Sequence, residues 1–392
     1  MRGRHTAIGI TGIALIGFLA AAPAARAELR TGPIGMEGFC GSGFEPGGVA
    51  VGDWNGDGAA DVAASYPKYG VVVLCLGDGE GAFTRAGDIA LEHGVTRLEF
   101  GRLGGADGAP PEPFLAALNP SLGRIDLLFP GEEGSLAVRF PSFPTGDDPV
   151  DIAVGYLDKE ERTPFVAAAN QQSQDATLIV WRDGAFHRET IDLREPGRPE
   201  PRPSAIAAGD LDGDGRRDDL AVTAQKYDLV VTVIGDDEGR MERRYQEVRT
   251  GRAPNAIAIG WLGEERTPYF VVTSGLKGGA LFFRRDPESR FGFRRFAAVD
   301  GGRRPVAADV LSAGETGASY FLMVERGAER WVAHLVDWAG EVRVLEQMRD
   351  VDPRLHDARL GCFRGVDQPF LVVAGEKLLL FPLFVLDDRR MY

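Results

Sequence analysis

The sequence predicts an all-β chain folded as a seven-bladed β-propeller of four-stranded antiparallel blades. Three observations predict it. One strand pattern recurs seven times at intervals near fifty residues. Each recurrence is followed by further short apolar strands separated by Gly, Asp and Asn turns. The 52 glycines and 24 prolines among 392 residues supply those turns.

The leading strands read VAVGDW, RLEFGRL, DIAVGYL, AIAAGDL, AIAIGWL, VAADVLS and DARLGCF. They pivot on Gly52, Gly101, Gly155, Gly209, Gly260, Asp309 and Gly361, with steps of 49, 54, 54, 51, 49 and 52 residues. A second apolar strand follows each (DVAASY, PFLAALN, PFVAAAN, DLAVTAQ, PYFVVTS, SYFLMVE, PFLVVAG), then a third such as VVVLCLG or LVVTVIG, then a more polar fourth such as AFHRETI. Apolar content falls from first to last, as strands radiating from a packed axis to a wet rim require. The seventh unit ends with its third strand, 377–384, while Glu28–Ile34 reads as a fourth strand placed ahead of the first blade. Pairing the two would close the ring and cover an open sheet edge.

Residues 1–27 have the form of a cleavable secretory signal: Arg2 and Arg4, an apolar run from Ile8 to Ala22, then Ala25-Arg26-Ala27. The expected mature chain, 28–392, is a single propeller, secreted or periplasmic. No later apolar run is long enough to span a bilayer. Removing the signal leaves 41 basic against 58 acidic residues, a net charge of −17. Generic nucleic-acid binding is excluded by that balance, because phosphate neutralisation needs a basic surface. Three cysteines, Cys40, Cys75 and Cys362, are too few for a disulfide-built scaffold, and a Cys40–Cys362 bridge is one possibility in an oxidising compartment.

Two turns carry chemistry. Gly52–Asp61 reads GDWNGDGAAD and Gly209–Asp218 reads GDLDGDGRRD, with oxygen-bearing side chains at loop positions 1, 3, 5 and 9 and glycine at 6. A helix-flanked calcium loop would close with glutamate at position 12, where this chain has Ala64 and Ala221. The flanks alternate like strands instead, so each loop is a hairpin turn. Alternate side chains on a tight loop can turn inward the hard oxygens that Ca²⁺ takes. An acidic turn held by its own Asx hydrogen bonds is the other reading.

The strand, the DxNxDGxxD or DxDxDGxxD loop and the next strand resemble the FG-GAP or VCBS repeats of the integrin alpha-subunit propeller and of secreted bacterial proteins. At the repeat level the resemblance covers residues 28–392. It implies two Ca²⁺ sites: Asp53, Asn55, Asp57 and Asp61 with the carbonyl of Ala59, and Asp210, Asp212, Asp214 and Asp218 with the carbonyl of Arg216. The other blades lack the alternating oxygens.

Trp54 has apolar equivalents in every repeat, which points to packing, while Trp261 stands where Asp53 stands. The histidines beyond the signal form no HxxxH pair, and neither a zinc site nor a nucleophile elbow is present in the sequence. Alternating strand direction puts both acidic loops on one face. The opposite face receives a polar and cationic set: Tyr66, Lys68, Tyr69, Arg124, Asn170, Gln171, Gln172, Gln225, Lys226, Tyr227, Arg303, Arg304 and Arg330. The expectation is therefore an exported, monomeric, calcium-binding propeller that acts as a non-enzymatic carbohydrate- or protein-binding module. The alternatives are a propeller-based polysaccharide lyase or hydrolase, as the family resemblance allows, and a scaffold subunit of a cell-envelope complex.

Overall fold

A computed structural model describes residues 34–35 and 45–382 apart from short segments at 106–109, 133–134, 237–239, 264, 277, 287, 289–291, 302–304, 313–318, 326–329, 337–339, 349–355, 363–368 and 375–377. Residues 1–27 lie outside the described residues, as do Arg303, Arg304 and Cys40. Among the described residues no helix is long and apolar enough to cross a membrane.

Seven antiparallel sheets follow one another along the chain. Their first strands are Val49–Gly52, Arg97–Leu103, Pro149–Tyr156, Pro203–Gly209, Pro254–Leu262, Pro305–Ser312 and Asp357–Cys362. Each first strand neighbours that of the next blade, and the seventh neighbours the first, so the ring closes. The closing strand is the N-terminal one: Ile34 pairs with Leu380 and Gly35 with Leu379, completing the last blade as the sequence suggests. Blade 2 differs at its rim, where Leu136–Val138 and Phe143–Pro144 both pair with Arg124–Pro130 in place of one fourth strand. Pro141 and Pro144 offer no N–H to a ladder, which accounts for the break. Phe140 fills the gap, 5.5 Å from the ring of Phe129 and 5.3 Å from Phe186.

The core is divided among the blade interfaces, and seven buried clusters match the seven junctions. Trp54 is buried at the junction of blades 1 and 2, its ring 6.0 Å from Phe100, as the repeat comparison expects. Phe114, Phe165, Phe270, Phe282, Phe321 and Phe370 have no measurable exposure. Each such side chain contributes about 2 to 3 kcal/mol of burial.

The pivotal glycines have a steric cause. Gly101 pairs with Phe114, Gly155 with Phe165, Gly260 with Tyr269 and Gly361 with Phe370. The aromatic ring lies over the glycine, so that a Cβ on Gly155 would stand 2.2 Å from Phe165 Cζ and 2.5 Å from the Arg217 carbonyl. In blade 6 the residue opposite Tyr320 is Leu311, two positions beyond Asp309. The sequence reading of Asp309 as the sixth pivot is corrected accordingly: VAADVLS has no glycine to mark the pivot, and the alignment slips by one side-chain period. Cys362 takes no part in a disulfide whereas Cys75 does, which excludes a Cys40–Cys362 bridge.

Candidate active site in the central channel

Along a strand, residues two apart share a face. Two positions before the pivot, the first strands carry Ala50, Glu99, Ala153, Ala207, Ala258, Asp309 and Arg359 in blade order. Two positions earlier again they carry Gly48, Arg97, Asp151, Ala205, Ala256, Ala307 and Asp357. Small residues leave an open channel, and the six ionisable side chains project into it. They line a cavity of about 460 Å³, with Arg217 also on its wall. That volume suits a monosaccharide-sized ligand.

Arg359 donates to Glu99 at 2.5 Å and to Asp357 at 3.0 Å. Arg97 lies 3.3 Å from Asp151 and donates to the carbonyl of Thr96. Three of the carboxylates also stitch blades together: Asp151 accepts the Ile206 N–H, Asp309 the Leu360 N–H and Asp357 the Val49 N–H. Burial pushes the Glu99 carboxyl up to about 7, against the pull of Arg359 and with the charges of Asp309 and Asp151 adding to the rise. Asp151 and Asp309 are raised for the same first reason, burial. Arg359 is held well above its ordinary value: the surrounding carboxylates, led by Asp357 and Glu99, outweigh the opposing cost of its burial. The sequence reading missed this cluster. Its signal lay in three ionisable residues, Glu99, Asp309 and Arg359, standing where four other blades have alanine, and the slipped sixth pivot hid it.

The two acidic loops sit at the strand ends of blades 1 and 4. Asp61 pairs with Gly52 and Asp219 with Gly209, so an aspartate takes the place of the aromatic that faces the pivot in other blades. Asp61 accepts the N–H groups of Trp54 at 2.7 Å and Gly77 at 2.8 Å; Asp219 does the same for Leu211 at 2.6 Å and Gly235 at 2.9 Å. Asp219 rather than Asp218 is thus the counterpart of Asp61, because the second loop is one residue longer. Oxygens of Asp210, Asp212 and Asp219 lie within 4.8 Å of one another. Asp218 instead lies 3.1 Å from Arg216 Nε, and Asp214 also pairs with Arg216. Burial raises Asp219 to about 8 and Asp218 to about 7, with neighbouring aspartates adding. Three crowded, desolvated carboxylates fit a hard cation such as Ca²⁺. In the first loop Asp53 accepts from Gly56 and Gly58 and pairs with Arg102 at 3.0 Å, while Asn55 and Asp57 hydrogen-bond to each other.

The surface set differs in exposure from residue to residue. Tyr66 and Asn170 are buried. Arg124 is engaged by Glu92 and Asp126. Lys68, Tyr69, Gln172 and Lys226 are exposed; Gln225 and Tyr227 are half-buried in a short 3-10 turn. Gln171, Gln172 and Lys226 line a separate polar hollow with Glu200 and Arg202. Arg330 begins the third strand of blade 6.

A family model for the FG-GAP repeat matches residues 202–240, the fourth blade with its acidic loop. The match is confined to that blade, and there the chain is similar to an FG-GAP repeat. No curated protein matches the chain. Solved structures do. A proposed 6-phosphogluconolactonase from Bacteroides uniformis superposes with a TM-score of 0.56 at 15% identity, covering 78% of this chain and 86% of that one. The periplasmic gluconolactonase of Pseudomonas aeruginosa gives 0.54 at 15% identity over 78% and 86%. A protein of unknown function from Desulfotomaculum acetoxidans gives 0.55 at 11% over 80% and 88%. At these identities the likeness establishes the propeller fold alone. The expectation of a non-enzymatic adhesion or recognition module is corrected here. Two of the matched propellers carry the names 6-phosphogluconolactonase and gluconolactonase, and six ionisable side chains of the first strands line the central channel.

Proposed function

We propose that this propeller is a hydrolase whose active site is the central channel, acting on a cyclic ester of a polyhydroxylated acid. The observation that carries the reading is the Glu99–Arg359 pair inside a channel cavity of monosaccharide size. A carboxyl poised near neutrality suits a general base. In this reading Glu99 takes a proton from water as the water oxygen bonds to the ester carbon. The negative charge moves from Glu99 to the former carbonyl oxygen, and Arg359 stays beside both. Collapse breaks the ring C–O bond, the proton held by Glu99 passes to the released alkoxide oxygen, and the new carboxylic acid gives its own proton to solvent and leaves as a carboxylate. The small cavity favours a lactone over a polymer, which sets aside polysaccharide cleavage.

Asp210, Asp212 and Asp219 would hold a Ca²⁺ ion whose chemistry is charge neutralisation of the fourth-blade turn. The disulfide at Cys75 supports an exported, oxidising location. The test is hydrolysis of glucono-1,5-lactone by purified protein above the uncatalysed rate, with Glu99→Gln as control. A wild type no faster than buffer, or a Glu99→Gln variant as fast as wild type, defeats the assignment.

A further inference from the structure

We infer that the channel selects an uncharged polyhydroxylated lactone, rejects its phosphorylated counterpart and repels the carboxylate it produces. This rests on the hydrolase reading and names the substrate class of the same site. The argument is the charge carried by the wall. Four carboxylates, Glu99, Asp151, Asp309 and Asp357, face two guanidiniums, Arg97 and Arg359. Both guanidiniums are already committed, Arg359 to Glu99 and Asp357, Arg97 to Asp151 and the Thr96 carbonyl. Arg217, at the wall, pairs with Glu161 at 3.5 Å and lies over the Tyr156 ring. A phosphate entering the cavity therefore meets carboxyl groups, and guanidiniums already committed to them, in a desolvated space where an unmatched charge is costly. Hydroxyl groups meet the opposite condition, since carboxylates accept their hydrogen bonds and guanidiniums donate to their oxygens.

The same field gives the reaction a direction. A neutral ring enters, and hydrolysis turns it into an anion that the wall disfavours, so product leaves and inhibits weakly. Asp151 is the residue that withholds Arg97 from an anion. Asparagine there would still accept the Ile206 N–H while leaving Arg97 without its carboxylate.

The experiment is calorimetric binding of two stable probes to the wild-type protein: neutral glucono-1,5-lactam and the 6-phosphogluconate anion. The expected result is lactam binding at least about tenfold tighter than 6-phosphogluconate, with Asp151→Asn moving the ratio at least about tenfold toward the anion. Equal or tighter binding of the anion by wild type, or no binding of either probe, overturns the inference. Hydrolysis of glucono-1,5-lactone measured in parallel separates the two readings: turnover together with tight 6-phosphogluconate binding sinks the selectivity and leaves the hydrolase standing. Lactam binding without turnover keeps the selectivity and sinks the hydrolase.

Discussion

Arg359 of blade 7 and Glu99 of blade 2, 260 positions apart in the sequence, meet at 2.5 Å across the central channel. Blade 1, which stands between them, adds only Val51 to the channel wall, and no charged side chain of that blade lines it. The contact ties the last blade to the second over the seam where the ring closes.

Removing that arginine should be costly. Arg359→Met leaves Glu99, Asp309 and Asp357 without their shared cation, and loss of one partner from such a buried group costs about 3 to 5 kcal/mol. Urea unfolding at neutral pH measures it. A loss under about 1 kcal/mol would mean that water or another cation compensates.

The pH dependence follows from Glu99, whose carboxyl rises from an ordinary 4.5 to about 7 through burial. A raised carboxyl favours folding while protonated, so its stabilisation is fully present below about 4.5 and is lost as pH climbs through about 7. Wild type should lose stability relative to Glu99→Gln across that window, and kcat/KM should rise with an apparent pKa near 7. Parallel stability curves for the two proteins would contradict the assignment.

Ring closure predicts a truncation phenotype. A chain starting at residue 45 lacks Ile34–Gly35 and exposes the edge of Leu378–Pro382, an apolar strand. Its melting temperature should fall by several degrees and its solubility should drop, since open edges recruit other chains. An unchanged scan and a monomeric elution profile would show that the seam holds without the N-terminal strand.

Calcium should act through the fourth blade. At ten to a hundred times a millimolar-range dissociation constant, a cation bound only by the folded state adds about 1.4 to 2.7 kcal/mol. Thermal scans with calcium and with EDTA should therefore differ for wild type and coincide for Asp212→Asn. A calcium shift that survives in Asp212→Asn would move the binding elsewhere.

The pivot glycines admit no side chain. Gly155→Ala drives a Cβ against Phe165 and the Arg217 carbonyl, an overpacking that costs about 1 to 3 kcal/mol. Gly56→Ala meets no neighbouring atom within 4 Å, yet its φ of +75° carries a cost of its own, about 1 kcal/mol. Chemical unfolding of both variants separates a packing cost from a backbone cost.

The seven blades, the closing strand and the burial of Trp54 were legible in the amino-acid order alone, because they rest on local patterns: strand alternation, turn residues and an apolar position kept from unit to unit. It also found the two acidic loops. It did not distinguish Asp218 from Asp219, since one extra loop residue changes which carboxylate faces Gly209, and strand register decides that. Nor did it find the channel. Glu99, Asp309 and Arg359 are single ionisable residues in otherwise ordinary apolar strands, far apart along the chain and adjacent only once seven sheets are arranged about an axis. Tertiary structure alone brings them together and removes the water between them. That desolvation, with the charges it crowds together, is the physical reason an unremarkable glutamate becomes a candidate base.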